Sequence, residues 1–82
     1  MAVRVMIVDD HPMVREGLVA MLGPYSDLEV VATCADGEEA VVAAPSVLPD
    51  VILMDIRMGG LNGFETTRRI LGENPRAKVL FL

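Results

Sequence analysis

The fold of this 82-residue chain is decided by the stretch Val-Arg-Val-Met-Ile-Val-Asp-Asp at residues 3–10. Its first six residues are nearly all apolar, and four of them are β-branched. A continuous apolar run of this kind predicts a parallel strand that is buried on both faces. Two carboxylates, Asp9 and Asp10, end that strand. A second run, Val51–Met54, has the same character and ends in Asp55.

The rest of the chain alternates between apolar runs and helical patterns. Pro12 suits the first turn of a helix, Asp36 can cap a second helix with Glu39 three residues on, and Pro45 ends or kinks that helix. The alternation implies right-handed crossovers and a parallel sheet with helices on its faces. We therefore expect an α/β, flavodoxin-like sheet of strand order 2-1-3-4, built from strands 3–8, 28–34, 51–54 and 78–82.

Two of the predicted helices carry an apolar stripe. In the first helix, which Gly23 and Pro24 stop, the stripe consists of Val14, Leu18, Met21 and Leu22. The third helix is expected over Phe64–Leu71. Its inward side chains are predicted to be Phe64, Thr67, Ile70 and Leu71.

Three aspartates follow two strands that this order makes neighbours. Ligands of open parallel sheets bind at the carboxyl ends of the strands, where the strand order reverses. Strands 1 and 3 flank that point, so we expect Asp9, Asp10 and Asp55 to converge. Each of these residues alone could simply cap a helix, but the joint pattern favours a functional site.

The chemistry of three carboxylates indicates a hard cation, because a cation or protons must offset their repulsion. Oxygen donors suit Mg²⁺, and zinc is disfavoured since His11 is the only histidine. A carboxylate beside Mg²⁺ can attack a phosphoryl group, and Asp55, alone on its strand, is the better nucleophile. Phosphate-binding glycine loops of the P-loop and Rossmann types are absent from the sequence. Arg57 stands where a haloacid-dehalogenase-like phosphatase needs a second acid.

Composition excludes several other classes. The net charge of −5 and the pI near 4.6 argue against direct binding of nucleic acid by this chain. One cysteine, Cys34, permits no internal disulfide, which favours a cytoplasmic location. No apolar run is long enough for a membrane span, and the N-terminus lacks the pattern of a signal peptide.

Three segments together carry a family resemblance. They are Val-Asp-Asp-His-Pro-Met-Val-Arg-Glu-Gly-Leu (8–18), Pro-Asp-Val-Ile-Leu-Met-Asp-Ile-Arg-Met (49–58) and Leu-Asn-Gly (61–63). They resemble a bacterial response-regulator receiver domain, with its CheY-like fold, and the Asp-His-Pro turn most resembles the NarL/LuxR-type subfamily. The resemblance covers essentially the whole chain.

The resemblance implies a role for each site residue. Asp55 matches the phosphoacceptor, which takes a phosphoryl group from a sensor histidine kinase. Asp10 matches a direct ligand of Mg²⁺, Asp9 one that acts through water, and the backbone carbonyl of Arg57 a further ligand. Such a domain is not an enzyme beyond weak self-dephosphorylation. In a full-length regulator it usually controls a C-terminal DNA-binding domain.

The sequence departs from the family pattern in two places. Gly59 stands where the family commonly has a proline. The sequence stops at Leu82, before the switch Thr or Ser, the fifth strand with its Lys, and the last two helices. We therefore expect residues 1–82 to be the N-terminal part of a receiver domain, without an output domain. We also expect a homodimer or higher assembly through the exposed edge of strand 4. The alternative function is a fragment that is not phosphorylated and serves only interaction or dimerisation.

Overall fold

The computed structural model describes residues 2–82. Within them, four strands and three helices alternate in the predicted β-α-β-α-β-α-β order. The strands are β1 (Val3–Val8), β2 (Leu28–Cys34), β3 (Val51–Met54) and β4 (Lys78–Phe81); the helices are α1 (Pro12–Leu22), α2 (Gly37–Val47) and α3 (Gly63–Glu73).

The strands form one parallel sheet of order β2-β1-β3-β4, which confirms the predicted flavodoxin-like topology. Val8 lies opposite Cys34 on one side and Met54 on the other, and Met54 lies opposite Phe81. The carboxyl ends of all four strands are therefore level at one edge of the sheet. That edge carries the aspartates that follow β1 and β3.

The main core lies between the sheet and the helices α2 and α3. Cys34 is buried in it, as expected for a small apolar side chain. The opposite face of β1 presents Val5 and Ile7, which alternate with the core residues and are also buried. The core cluster consists of Met6, Val8, Cys34, Ala40, Ala44, Ile52, Met54, Met58, Ile70 and Ala77.

Helix α1 packs against β1 and β2 but remains the least buried helix. The structure describes every residue of α1, and none of their side chains is buried. In its predicted apolar stripe, Val14 and Met21 are exposed, whereas Leu18 and Leu22 are half-buried. The stripe therefore exists, but the sheet covers only part of it.

The predicted inward face of α3 was partly wrong. Ile70 is buried and Leu71 packs against the core, as predicted, but Phe64 is 59% exposed. Thr66, instead of Thr67, is the fully buried side chain in the first turns of the helix. The helix starts at Gly63, because the Asn62 side chain caps it by accepting from the Glu65 amide at 2.9 Å.

The second helix confirms its predicted cap and extends past its proline. The Asp36 carboxylate accepts a hydrogen bond from the Glu39 amide at 2.8 Å. The Glu39 carboxylate in turn accepts a hydrogen bond from the Ala35 amide at 3.3 Å, and Ala35 directly precedes the capping residue Asp36. Pro45 lies inside the helix, which continues to Val47 and ends at Leu48 in a left-handed conformation.

Among residues 2–82, no helix combines the length and the apolar character that crossing a membrane requires.

Candidate functional site

The hydrogen bonds of the sheet continue past the carboxyl ends of β1 and β3. The Asp55 amide donates to the Val8 carbonyl at 2.9 Å, and the Asp9 amide donates to the Cys34 carbonyl at 3.1 Å. These bonds fix the backbones of both aspartates relative to the sheet. Their side chains therefore project from a rigid edge, although both residues lie just outside the regular strands.

Asp9, Asp10 and Asp55 converge at this edge, as the strand order predicted. Each offers a carboxylate oxygen, and His11 offers a ring nitrogen, such that the four atoms all lie within 4.8 Å of one another. The exposed fractions of the side chains differ: 5% for Asp9, 15% for Asp55 and 38% for Asp10. Asp9 is therefore the buried acid of the cluster, and Asp10 is the acid that solvent reaches most easily.

His11 is a member of this cluster that the sequence did not assign to it. Its Nδ1 atom lies 2.8 Å from Asp9 Oδ1, 2.9 Å from Asp10 Oδ1 and 3.9 Å from Asp55 Oδ2. The hydrogen bond to Asp9 and the negative charge of Asp10 raise the pKa of His11 above its usual value. From the sequence, a turn residue ahead of Pro12 is the favoured interpretation of His11, and a hydrogen bond near a bound phosphoryl group is the alternative. The signal for its place in the cluster is a histidine directly after two acids.

The turn between β1 and α1 is held by two contacts with Asp9. The His11 amide donates to Asp9 Oδ1 at 2.8 Å, so the carboxylate closes a local turn. From α1, the Arg15 guanidinium donates to the Asp9 backbone carbonyl at 2.7 Å. The sequence did not predict this contact between Arg15 and Asp9, because a spacing of six residues across a turn has no recognisable pattern.

The side chain of Asp55 is oriented by the residue two positions along the chain. The Arg57 amide donates to Asp55 Oδ1 at 3.0 Å, which leaves Oδ2 on the side of His11. Arg57 itself is exposed. The sequence-based expectation concerned its backbone carbonyl as a metal ligand, and that role stays a prediction.

The loop that follows Asp55 is tied to both neighbouring helices. The Gly63 amide, at the start of α3, donates to the Ile56 carbonyl at 3.1 Å. In the first turn of α2, the Glu38 carboxylate accepts from the Leu61 amide at 3.1 Å. Gly60 within the loop has a φ of 73°, a left-handed conformation that glycine adopts without strain. The loop is therefore anchored on either side of its glycines.

The donor set fits a small divalent cation. Carboxylate oxygens are the ligands that Mg²⁺ and similar hard ions prefer, and the repulsion among Asp9, Asp10 and Asp55 is offset when such an ion binds. The three carboxylates lie beside one another at a solvent-accessible edge. Together they can bind a cation, and Asp55, which is held on a separate strand, can act as a nucleophile beside it. Phosphoryl transfer to a carboxylate is one reaction that uses such a combination.

Comparison with known proteins identifies the same family that the sequence motifs resemble. A family profile described as "Response regulator receiver domain" matches residues 5–82. The transcriptional regulatory protein LiaR of Bacillus subtilis is 45% identical over 80 residues, which are 98% of this chain and 38% of LiaR. The response regulator protein VraR of Staphylococcus aureus is 45% identical over all 82 residues, or 39% of VraR. This chain therefore spans less than half the length of these relatives.

Solved structures with the same fold include two regulators of the predicted subfamily. A LuxR-family two-component response regulator from Aurantimonas sp. SI85-9A1 has a TM-score of 0.91 and 37% identity, covering 99% of this chain and 58% of that one. The receiver domain of the putative regulator NarL from Mycobacterium tuberculosis has a TM-score of 0.89 and 36% identity, covering 98% and 64%. With its topology, acid cluster and relatives in agreement, the chain belongs to the response regulator receiver domains of two-component systems.

Proposed function

We propose that this chain is a phosphoacceptor module in which Asp55 receives a phosphoryl group from a sensor histidine kinase. The proposal is carried by one observation, the convergence of Asp9, Asp10 and Asp55 at the carboxyl ends of β1 and β3. Receiver domains as a family accept phosphoryl groups, work with sensor histidine kinases and generally bind Mg²⁺.

The transfer follows from the position of Asp55. Its free Oδ2 attacks the phosphorus of a phosphohistidine, the new P–O bond forms as the P–N bond breaks, and the departing imidazole takes up a proton. The Arg57 amide holds Oδ1 and so fixes the carboxylate during the attack. Hydrolysis of the resulting acyl phosphate by water returns Asp55 and inorganic phosphate, so the domain is a substrate of the kinase and has at most weak self-dephosphorylating activity.

The cation that we propose at the site is Mg²⁺. Asp10 and Asp55 would bind it directly, Asp9 through water, and the Arg57 backbone carbonyl would be a further protein ligand. When bound, Mg²⁺ neutralises the charge that develops on the transferring phosphoryl oxygens. The exposure of Asp10 supports its role as the ligand that a hydrated ion first meets, because Asp9 is nearly inaccessible.

For the whole protein, we propose a cytoplasmic transcription regulator in which residues 1–82 are the N-terminal part of the receiver domain. The similarity to the transcriptional regulatory protein LiaR supports an output through DNA binding elsewhere in such a protein. The net charge of −5 supports the inference that these residues do not themselves bind DNA. DNA binding by residues 1–82 alone would contradict that part of the proposal.

The test of phosphorylation is labelling with a small phosphodonor. The chain is incubated with acetyl phosphate and Mg²⁺, and intact-mass spectrometry measures the addition of one phosphoryl group. We expect labelling of the wild type, its loss in Asp55→Asn, and its loss when Mg²⁺ is chelated. Asp27→Asn, at the opposite end of the sheet, is the matched control and should be labelled normally. A wild type that folds, binds Mg²⁺ and is never labelled would contradict the proposal.

A second candidate function is supported by the edge of β4. Leu80 and Phe81 are 57% and 42% exposed, and the strand is hydrogen-bonded to β3 on one side. Since Lys78 and Leu82 direct their amides to β3, the amides of Val79 and Phe81 point to the free edge. We propose that a second copy pairs there around a twofold axis, so that the chain can act as a dimerisation module without phosphorylation.

A further inference from the structure

His11 holds a position at the acid cluster that a hydrogen bond to one acid would not require. Its Nδ1 atom is 2.8 Å from Asp9 Oδ1 and 2.9 Å from Asp10 Oδ1, while Asp55 Oδ2 lies 3.9 Å away. The nitrogen thus faces all three carboxylates at once. The side chain is 66% exposed, so the ring is held in this position by the contacts of Nδ1 with the carboxylates and not by burial or packing.

These distances match those between ligands of one cation. Donors that share a divalent ion each lie about 2.0–2.2 Å from it, which places neighbouring donors about 3 Å apart and opposite donors about 4 Å apart. The three distances from Nδ1, at 2.8, 2.9 and 3.9 Å, fall within this range. All four donor atoms lie within 4.8 Å of one another, so a small inward movement of the side chains would bring them to the spacing of ligands of one ion.

We propose that His11 Nδ1 is a protein ligand of the metal site, so that this site favours a transition-metal dication such as Mn²⁺ over Mg²⁺. The inference rests on the proposed metal site and concerns which cation it selects. Without a bound cation, Nδ1 carries a proton, because it donates to carboxylate oxygens. The cation would displace this proton to solvent, so that the Nδ1 lone pair faces the ion and the remaining ring proton is on Nε2.

The selectivity follows from the chemistry of imidazole. Mg²⁺ prefers oxygen donors and keeps its waters, so a nitrogen beside it contributes little. First-row transition dications bind imidazole more strongly than Mg²⁺ does. Mn²⁺ shows this preference least, and the affinity for mixed nitrogen and oxygen sites rises from Mn²⁺ to Cu²⁺. A cluster of Asp9, Asp10 and Asp55 alone would discriminate weakly between Mg²⁺ and Mn²⁺. A nitrogen ligand from His11 would add the preference for Mn²⁺ over Mg²⁺.

The decisive experiment uses the fact that His11 is the only histidine of the sequence. Untagged protein is produced with ¹⁵N-histidine, loaded with Mn²⁺, and examined by pulsed electron paramagnetic resonance. Any ¹⁵N hyperfine coupling to the bound ion then comes from this one ring. We expect a coupling typical of a directly bonded nitrogen in the wild type and none in His11→Gln, which keeps a polar side chain of similar reach.

Affinity measurements provide the second arm. By titration calorimetry, we expect His11→Gln to weaken Mn²⁺ binding by about tenfold or more, as the loss of one metal ligand should, and to change Mg²⁺ binding by less than about threefold. Tight Mn²⁺ binding that Asp10→Asn removes, but without ¹⁵N coupling, would overturn the role of His11 and leave the acid site intact. Absence of binding of either cation to the folded wild type would overturn the metal site and this inference together.

Discussion

Gly63 packs directly against the backbone of Asp55: a Cβ atom at Gly63 would lie 2.5 Å from the Asp55 carbonyl oxygen and 2.8 Å from the Ile56 Cα. Such distances are too short for a methyl group, so any side chain at this position must displace the backbone that carries the proposed phosphoacceptor. The start of α3 and the end of β3 therefore form one packed unit.

Gly63→Ala is accordingly expected to impair both stability and phosphorylation. Overpacking of this kind lowers the free energy of unfolding by about 1–3 kcal/mol, and the displaced loop should slow the labelling of Asp55 by acetyl phosphate. Urea unfolding and the labelling rate measure the two effects. Gly59→Ala is the control, because a Cβ at Gly59 meets no atom within 4 Å. Equal effects of the two variants would argue against the close packing.

The sequence predicted the sheet and the position of the acids well, for a definite physical reason. The runs Val3–Val8 and Val51–Met54 are apolar without alternation, which only a sheet covered on both faces explains. Once the strands were parallel neighbours, the convergence of Asp9 and Asp55 followed from the level ends of β1 and β3. These features depend on hydrophobic pattern and connectivity, which one sequence contains.

The details that the sequence did not predict depend on contacts between distant segments. A Cβ at Gly37 would collide with the Thr66 side chain and would lie 2.8 Å from the Leu61 carbonyl, so α2 and α3 approach closely there. That contact buries Thr66 and rotates Phe64 outward, where its ring lies 5.1 Å from that of Phe81. The hydrophobic pattern of the sequence predicted the opposite, with Phe64 among the inward side chains of α3 and Thr66 not among them.

Leu48 offers a stabilising substitution. It ends α2 with φ 49° and ψ 64°, a left-handed conformation that is costly for a side chain with a Cβ, and it is 60% exposed. Leu48→Gly should raise the free energy of unfolding by about 1 kcal/mol, since glycine is the preferred residue at such helix ends. Thermal unfolding measures the gain. Leu48→Ala removes the same side chain but keeps the strain, so it should show no gain, and equal stabilisation by both variants would refute the explanation.

Cys34 should be an unreactive thiol in the folded protein. Burial, followed by the negative charges of Glu39 and Asp36, raises its pKa to about 11 from 9.0. A thiol reagent at pH 8 should therefore modify the chain only at the rate of unfolding, and urea should accelerate the reaction steeply. Rapid modification of the native protein would contradict the burial.

The same shift predicts a pH dependence of stability. The folded protein retains the Cys34 proton at pH values where the unfolded chain loses it, so the stabilisation is complete below pH 9 and is lost between pH 9 and about 11. A loss on the order of 2 kcal/mol across this range is expected. Urea unfolding at several pH values measures it. Cys34→Ala should show a smaller decline over the same range, and an identical decline would assign the effect to other groups.

Self-association through β4 is testable with a single charge. If the β4 strands of two copies pair antiparallel around a twofold axis at Leu80, the Leu80 side chains of the two copies face each other. Lys78 of each copy then faces Leu82 of the other, so no like charges meet. Leu80→Lys would place two ammonium groups opposite each other and should abolish the dimer in sedimentation velocity experiments. Met13→Lys, at an 84% exposed position on α1, is the control and should leave the dimer intact. A wild type that sediments as a monomer at micromolar concentration would contradict the pairing.

Divalent cations should stabilise the fold through the acid cluster. An ion that binds only the folded state at about 100 times its dissociation constant raises the free energy of unfolding by about 2.7 kcal/mol. We expect Mg²⁺ and Mn²⁺ to raise the melting temperature of the wild type, and Asp10→Asn to abolish most of this rise. Without cation, Asp10→Asn removes repulsion from Asp9 and Asp55 but also the attraction to His11, 2.9 Å away, so its stability should differ little from that of the wild type. Asp27→Asn, an exposed acid at the opposite end of the sheet, removes the same charge and should retain the full response. If both variants lost the response equally, the cation would be screening the net charge of −5 and not occupying a site.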